Sequence, residues 1–170
     1  MASIPTFKCV IVGDGGVGKT TFLQKHYSGE FTQMYKPTLG VEVDPIVLDT
    51  TVGPVRLNIW DVAGQQMYRG LGEGYYVQAE GAIVMFDLTK EQSYENSNTW
   101  FNGVTNECQN IPIVVVGNKY DMVQQHEVNN VTNDFGIESD MYCEISSKTG
   151  YNIDKPLITL IRKLMHNDTI

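Results

Sequence analysis

Short runs of consecutive apolar residues recur along the chain and predict the buried strands of a sheet. Three of them, at residues 10–12, 82–86 and 113–116, lack the in-out alternation of a strand with one face in water. Parallel strands that are covered by helices on both faces have this pattern. A fourth and weaker run occupies residues 142–145. These runs therefore predict the centre of a mostly parallel sheet.

Apolar residues at helical spacing lie between the strands. One such face comprises Tyr94, Phe101, Val104 and Cys108, and another comprises Ile153, Leu157, Leu160, Ile161 and Leu164. Pro156 suits the first turn of the second helix. The alternation of strands and helices predicts an α/β fold with helices on both faces of the sheet.

Residues 46–49 and 55–60 flank Gly53 and Pro54, which indicates a β-hairpin and one antiparallel edge strand. The predicted fold is thus a six-stranded, mostly parallel sheet. Residues 28–44 and 63–79 are rich in glycine and polar residues without steady periodicity, and we predict that both are mobile loops.

The 170 residues predict one domain, residues 1–170, without repeats or linkers. A net charge of −8 argues against nucleic acid or an anionic membrane as a partner. Cys9, Cys108 and Cys143 are expected to be reduced core thiols in the cytosol or nucleus. No apolar run approaches the ~20 residues of a membrane span, and no C-terminal cysteine could carry a prenyl group. We expect a soluble monomer without a membrane anchor.

The segment GDGGVGKT, residues 13–20, follows the first apolar run and precedes a predicted helix. Its form is G-x-x-x-x-G-K-T, a glycine loop whose N–H groups can surround a polyphosphate at a helix N-terminus. Lys19 would reach the β- and γ-phosphates, and the Thr20 hydroxyl would bind Mg²⁺. We call residues 13–20 the phosphate loop.

Asp61 and Gly64 follow the strand that ends at Trp60. Asp61 would therefore lie near the Mg²⁺ of the phosphate loop and could hold it through water. Gly64 would present its N–H to the γ-phosphate, and the amide of Gln65 could orient an attacking water.

The segment NKYD, residues 118–121, follows another strand and predicts the choice of base. Asp121 can accept hydrogen bonds from N1–H and the 2-amino group of guanine, whereas adenine offers neither donor, so ATP is excluded. Residues 146–148, SSK, could contribute an N–H to guanine O6 and pack the stem of Lys148 against the base.

In their order and spacing these motifs resemble those of the Ras superfamily of small GTPases, P-loop NTPases that bind GTP and GDP with Mg²⁺. The resemblance spans residues 7–164 and implies slow hydrolysis of GTP to GDP, assisted by an activating protein and reset by an exchange factor. It further implies that Phe31 packs against guanine, that Thr38 binds Mg²⁺ and the γ-phosphate, and that Tyr35 either shields the nucleotide or helps to place Gln65.

Together, motifs and resemblance predict three sets of residues. The nucleotide-binding residues are Asp14, Gly15, Gly16, Val17, Gly18, Lys19, Thr20, Thr21, Phe31, Tyr35, Thr38, Gly64, Asn118, Lys119, Asp121, Ser146, Ser147 and Lys148. The catalytic residues are Gln65, Lys19 and Thr38. The Mg²⁺ ligands are Thr20, Thr38 and Asp61.

Within the superfamily the chain most resembles the Ran subfamily of nuclear-transport GTPases. The finer match is carried by residues 38–43, 53–54, 70–71, 74–76, 78–79, 110–114 and 155–156. It implies a switch in nucleocytoplasmic transport of protein, with importin- and exportin-type receptors as partners, in nucleus and cytoplasm. Residues 133–140 are acidic where that subfamily has a basic cluster that contacts acidic receptors, so like charges would oppose the same docking. The chain also ends without the subfamily's C-terminal tail.

Two other functions fit the same motifs. One is a binding module that holds its nucleotide without turnover, which the presence of Gln65, Thr38 and Lys19 disfavours. The other is a Rab-type membrane-trafficking GTPase, which the missing C-terminal cysteines disfavour.

Overall fold

The structure, a computed structural model, describes residues 3–29, 40–64, 73–124 and 130–170. In these ranges the strands are β1 (Thr6–Val12), β2 (Val41–Thr50), β3 (Gly53–Val62), β4 (Gly81–Asp87), β5 (Ile113–Asn118) and β6 (Tyr142–Glu144). The α-helices are α1 (Lys19–Ser28), α2 (Glu73–Tyr76), α3 (Glu91–Glu107), α4 (Val131–Phe135) and α5 (Lys155–Leu164). Short 3₁₀ turns cover Tyr120–Met122 and Ser139–Met141.

The six strands form one sheet in the order β2-β3-β1-β4-β5-β6. Only β2 and β3 pair antiparallel, while the other neighbours pair parallel. This confirms the predicted α/β fold, with β2 as the antiparallel edge strand.

Successive residues of β1 enter apolar clusters on opposite faces of the sheet, which is why its sequence shows no alternation. Cys9 and Ile11 pack in the cluster that contains residues of α1 and α5. Val10 and Val12 pack in the cluster that contains Trp100 of α3. Helices therefore cover both faces, as predicted.

The parallel strands bring their carboxyl ends to one edge of the sheet. β1, β3, β4 and β5 end at Val12, Val62, Asp87 and Asn118. The segments that follow these strands carry most of the predicted nucleotide-binding residues, so the topology gathers them at that edge, where ligands bind in open α/β sheets.

The hairpin is confirmed, but its strands are longer than the sequence pattern predicts. Thr51 and Val52 form the turn, and Gly53 opens β3 with a φ of +108°. The prediction of a loop over 28–44 is wrong for residues 41–44, because Val41 pairs with Val62 and β2 continues from there. In the second predicted loop, residues 63–79, Glu73–Tyr76 is helical. Ile153 was predicted to lie on the last helix, but α5 begins two residues after it, at Lys155.

All three cysteines are free and buried, as predicted. Burial raises the pKa of Cys9 and of Cys143 to about 12 each, so these thiols stay protonated at neutral pH. Among the residues that the structure describes, no helix is both long and apolar enough to cross a membrane.

Candidate functional site: a phosphate loop with a base-reading edge

The phosphate loop leaves the carboxyl end of β1 and leads into α1, whose first turn contains Lys19, Thr20 and Thr21. Gly13 has a φ of +146°, and a Cβ there would lie 2.1 Å from the main-chain oxygen of Met85 on β4. Since that oxygen belongs to a buried strand, only glycine fits. Gly15, Gly16 and Gly18 complete the turn, while the side chain of Val17 is buried in the core.

Lys19 is a buried cation, with only 6% of its surface exposed. Its ammonium group donates to the main-chain oxygens of Gly13 at 2.7 Å and Asp14 at 2.9 Å. Burial lowers the pKa of Lys19 to about 8, against the opposing effect of the Asp61 and Asp14 carboxylates. A phosphate oxygen carries negative charge whereas the carbonyl oxygens are neutral, so the Coulombic attraction between opposite charges would make it a better partner for this ammonium than the carbonyls are.

Thr20 and Asp61 meet next to the phosphate loop. The Thr20 hydroxyl donates to Oδ2 of Asp61 over 2.5 Å. Asp61 is fully buried, and its Oδ1 has no hydrogen-bond partner among the described residues. Burial raises the pKa of Asp61, although the Thr20 hydrogen bond and Lys19 act in the opposite direction.

A hydroxyl beside a buried carboxylate with an unpaired oxygen fits a Mg²⁺ ion, which prefers oxygen ligands and binds through one or two carboxylates with phosphates and water. No cluster of three or more His, Cys, Asp or Glu side chains occurs among the described residues. Thr38, the third predicted ligand, lies outside the described residues.

Gly64, just beyond β3, touches the phosphate loop. A Cβ on Gly64 would lie 2.2 Å from the main-chain nitrogen of Gly15 and 2.8 Å from the oxygen of Gly13. The segment after β3 therefore approaches the phosphate loop closely enough that Gly64 has no room for a side chain.

Asn118, at the end of β5, is 1% exposed and connects three segments. Its amide donates to the main-chain oxygen of Val17 at 2.9 Å, and its Oδ1 accepts from the N–H of Ser147 at 3.1 Å. The Ser147 hydroxyl also donates to that oxygen at 3.2 Å. Asn118 thus holds the phosphate loop and the SSK segment together.

Lys119 adopts a left-handed backbone with a φ of +66° and joins two further segments. Its ammonium donates to the main-chain oxygen of Gly16 at 2.9 Å and forms a 2.8 Å ion pair with Asp87. Burial alone would raise the pKa of Asp87, but hydrogen bonds from Lys119 and Thr89 outweigh it and lower that pKa. Asp87 was not predicted as a site residue, although its position at the end of β4 was a usable signal.

Asp121 is exposed, and its predicted contact with the base stays a prediction. The Ser146 hydroxyl donates to Oδ1 of Asp121 at 2.6 Å and accepts from the N–H of Thr149 at 3.0 Å. Lys148, next in the chain, is exposed as well.

Two tyrosines connect the segments that are predicted to contact the base, residues 118–121 and 146–148. The rings of Tyr120 and Tyr151 stack with 4.6 Å between centroids and 18° between planes. This contact joins the NKYD turn to the residues after the SSK segment and was not predicted.

Two residues of α3 also enter the site unpredicted. Asn96 and Trp100 donate hydrogen bonds to the side chain of Asp14. Their i, i+4 spacing puts them on one helix face, but nothing in the sequence indicated that this face meets the phosphate loop.

Four predicted site residues, Phe31, Tyr35, Thr38 and Gln65, lie outside the described residues. Their roles stay predictions.

A phosphate loop between the first strand and helix of a doubly covered sheet defines a P-loop nucleotide-binding domain. The Ras family model matches residues 8–166, and the chain belongs to the Ras family. Domains of this family act as GTP-binding switches, typically bind GTP and GDP with Mg²⁺, and are generally GTPases that work with exchange factors and activating proteins.

Proposed function

We propose that this protein hydrolyses GTP to GDP and acts as a Ran-like conformational switch in nucleocytoplasmic transport of protein, in nucleus and cytoplasm. The switch is supported above all by one observation: Lys19, Thr20 and Asp61 converge beside the phosphate loop, and Asp61 keeps a buried oxygen without a hydrogen-bond partner among the described residues. The transport role is supported by the Ran-like segments of the sequence.

Binding of the phosphates follows from the loop and its lysine. The main-chain N–H groups of the loop would hold the phosphate oxygens, and Lys19 would exchange its carbonyl partners for the β- and γ-phosphates. Thr20 and Thr38 would hold Mg²⁺ directly and Asp61 through water. When bound, the ion neutralises charge on the β- and γ-phosphate oxygens.

Hydrolysis needs a positioned water on the far side of the γ-phosphate. Gln65 is the proposed residue that orients this water, whose oxygen bonds to phosphorus as the bond to the bridging oxygen of GDP breaks. No arginine of the chain is assigned to the transition state. Unassisted turnover should therefore be slow, on the order of 10⁻⁴ s⁻¹, which is the value of a family relative.

The conformational output comes from the main chain next to the phosphates. Gly64 lies next to Gly15. A γ-phosphate that is held by the phosphate loop could therefore also accept a hydrogen bond from the N–H of Gly64. Thr38 would make the corresponding contact from the other side. Loss of that phosphate would remove both contacts, which partners can sense.

The acidic segment 133–140 bears on which receptors this protein binds. Glu138 and Asp140 pair with Lys163 at 2.6 and 3.2 Å, and Asp134 accepts a hydrogen bond from Tyr94. These contacts within the protein reduce the repulsion that an acidic receptor would meet, but they do not create the basic surface of the subfamily. We therefore propose receptor binding through other surfaces, weaker than in the subfamily.

The transport role is tested with protein immobilised on beads and loaded with GDP or with a non-hydrolysable GTP analogue. Importin-type receptors should be retained on the GTP-analogue form and not on the GDP form. Lys19→Asn, which should hold no nucleotide, is the control for binding that is independent of the switch. Equal retention on both forms, or on neither, would contradict the transport role.

Hydrolysis is tested separately by single-turnover measurement with bound GTP. Gln65→Leu should bind GTP like the wild type and hardly cleave it, since a leucine cannot hydrogen-bond to water. A wild-type rate of zero, even with an activating protein, would support a nucleotide-locked binding module instead.

A further inference from the structure

The phosphate loop contains one acidic residue, Asp14, between glycines. A carboxylate so close to a bound polyphosphate would repel it if it turned towards the phosphates. In the structure, two neutral donors on α3 hold this carboxylate and stabilise its charge. Oδ1 of Asp14 accepts from the Trp100 indole N–H at 2.9 Å, and Oδ2 accepts from the Asn96 amide at 2.7 Å.

Both donors are held firmly on α3. The Asn96 side-chain oxygen accepts from Gln92 at 3.1 Å, which directs the amide nitrogen of Asn96 towards Asp14. Trp100 is 3% exposed and packs in an apolar cluster with Val12 and Val62. The end of the indole that carries the N–H reaches the loop from within this cluster. α3 therefore presents two donors to one carboxylate from a fixed position.

Asp14 also connects this contact to the cation of the site. Its main-chain oxygen accepts from the Lys19 ammonium at 2.9 Å. A side chain held by α3 and a carbonyl that faces Lys19 thus belong to the same residue. If α3 released the carboxylate, the peptide that contacts Lys19 would lose its restraint, and the free charge could turn towards the phosphates.

We propose that Asn96 and Trp100 are positioning residues for nucleotide binding: they hold the Asp14 carboxylate against α3 and so keep the phosphate loop in its binding conformation. The inference rests on the proposed binding of guanine nucleotide at this site. It adds two residues of α3 to those that determine how fast the nucleotide is released.

The test measures dissociation of fluorescent GDP from wild type and variants in the presence of Mg²⁺. Asn96→Asp places a second carboxylate beside Asp14, and we expect release about tenfold faster. Trp100→Phe keeps an aromatic ring in the cluster but removes the N–H donor, and we expect about fivefold faster release. Asn102→Asp makes the same chemical change at an exposed position of α3 and should release GDP at the wild-type rate.

Exchanging the side chains of Asp14 and Asn96 distinguishes loss of their direct hydrogen bond from a general loss of protein stability. In the double variant Asp14→Asn/Asn96→Asp, an amide on the loop can donate to a carboxylate on α3, so release should return to within about twofold of wild type. In an Asn96→Ala background, Asp14→Asn cannot restore this hydrogen bond. Asp14→Asn should therefore slow GDP release by a factor that is at least threefold smaller in the Asn96→Ala background than in the Asn96→Asp background.

Wild-type rates in both Asn96→Asp and Trp100→Phe would overturn the inference while leaving nucleotide binding intact. An equal effect of Asp14→Asn in the two backgrounds would overturn it as well, because loss of one negative charge would then explain the result. Failure of the wild type to retain GDP would contradict both the inference and the proposed function.

Discussion

The phosphate side of this site, with Lys19 and Asp61, and the base side, with Asn118 and Lys119, differ in how far contacts within the protein satisfy their polar groups. On the phosphate side, and among the described residues, the hydrogen-bond partners of the Lys19 ammonium are two neutral carbonyls, and one buried oxygen of Asp61 has no hydrogen-bond partner. On the base side, Asn118 and Lys119 are already hydrogen-bonded to the phosphate loop and to neighbouring segments. The first side therefore has charged groups that a ligand and an ion could satisfy, whereas the second is a preformed frame beside the exposed Asp121, the residue proposed to select the base.

This comparison predicts that the largest loss follows from removing the phosphate-side cation. Lys19→Asn should weaken GDP binding by about 1,000-fold or more, because the phosphates lose a buried charged partner. Calorimetric titration of nucleotide-free protein measures the effect. Lys25→Asn removes a lysine of the same helix whose ammonium donates to the carbonyl of Gly29, and this variant should bind GDP as the wild type does. If Lys19→Asn weakened GDP binding by less than tenfold, the main-chain groups of the phosphate loop, and not Lys19, would contribute most of the affinity.

On the base side, Asp121→Asn should change selectivity more than it changes structure. The carboxylate is expected to accept two hydrogen bonds from guanine, and an amide in its place should weaken GDP binding on the order of 100-fold. Xanthine carries a C2 carbonyl where guanine has an amino group, so the variant should prefer xanthosine diphosphate. Competition between the two nucleotides measures this preference, and unchanged guanine affinity would remove the account of base selection.

The buried lysine also predicts a pH dependence. Without nucleotide the pKa of Lys19 is lowered to about 8, and the negative phosphates of a ligand should raise it again. Binding above pH 8 must then take up a proton, so affinity should fall with rising pH by up to about tenfold per unit, and it should level off about one unit below pH 8.

Titration calorimetry at pH 9 in buffers of different ionisation enthalpy measures that proton directly. No proton uptake at pH 9 would show that Lys19 keeps its charge without a ligand.

The smallest expected effect concerns the frame itself. Tyr151→Leu removes the ring that stacks on Tyr120, and an aromatic pair of this kind contributes about 0.5–1.5 kcal/mol. GDP release should become about threefold faster if the stack braces the base-reading segments. Tyr151→Phe keeps the ring and should stay close to wild type. Equal rates for leucine and phenylalanine would show that the stack does not support binding.

The sequence predicted those parts of the molecule whose signals are local. The apolar run of β1 and the glycines after it identified the phosphate loop, because burial on both faces and a tight turn each leave a short-range pattern. The start of β2 was missed since Glu42 and Val43 are exposed and show no strand pattern, while pairing with distant β3 makes them a strand.

The contacts of Asp14 could not be predicted for a related reason. Asn96 and Trp100 lie 82 and 86 positions away from it, and only the packing of α3 on the sheet brings them together. The predicted helix face of Tyr94, Phe101 and Val104 did not include Trp100, although Trp100 lies four positions before Val104 and is 3% exposed. Helical spacing could have placed this indole in the core, but it could not reveal that its N–H donates to Asp14.

Calorimetric titration of nucleotide-free wild-type protein with GDP and with ADP, each with and without Mg²⁺, tests the central claim most directly. GDP should bind far more tightly than ADP, and removal of Mg²⁺ should weaken GDP binding, because the site pairs a guanine-selecting carboxylate with phosphate-side groups that need an ion. Equal affinity for the two nucleotides and no effect of Mg²⁺ would contradict the account.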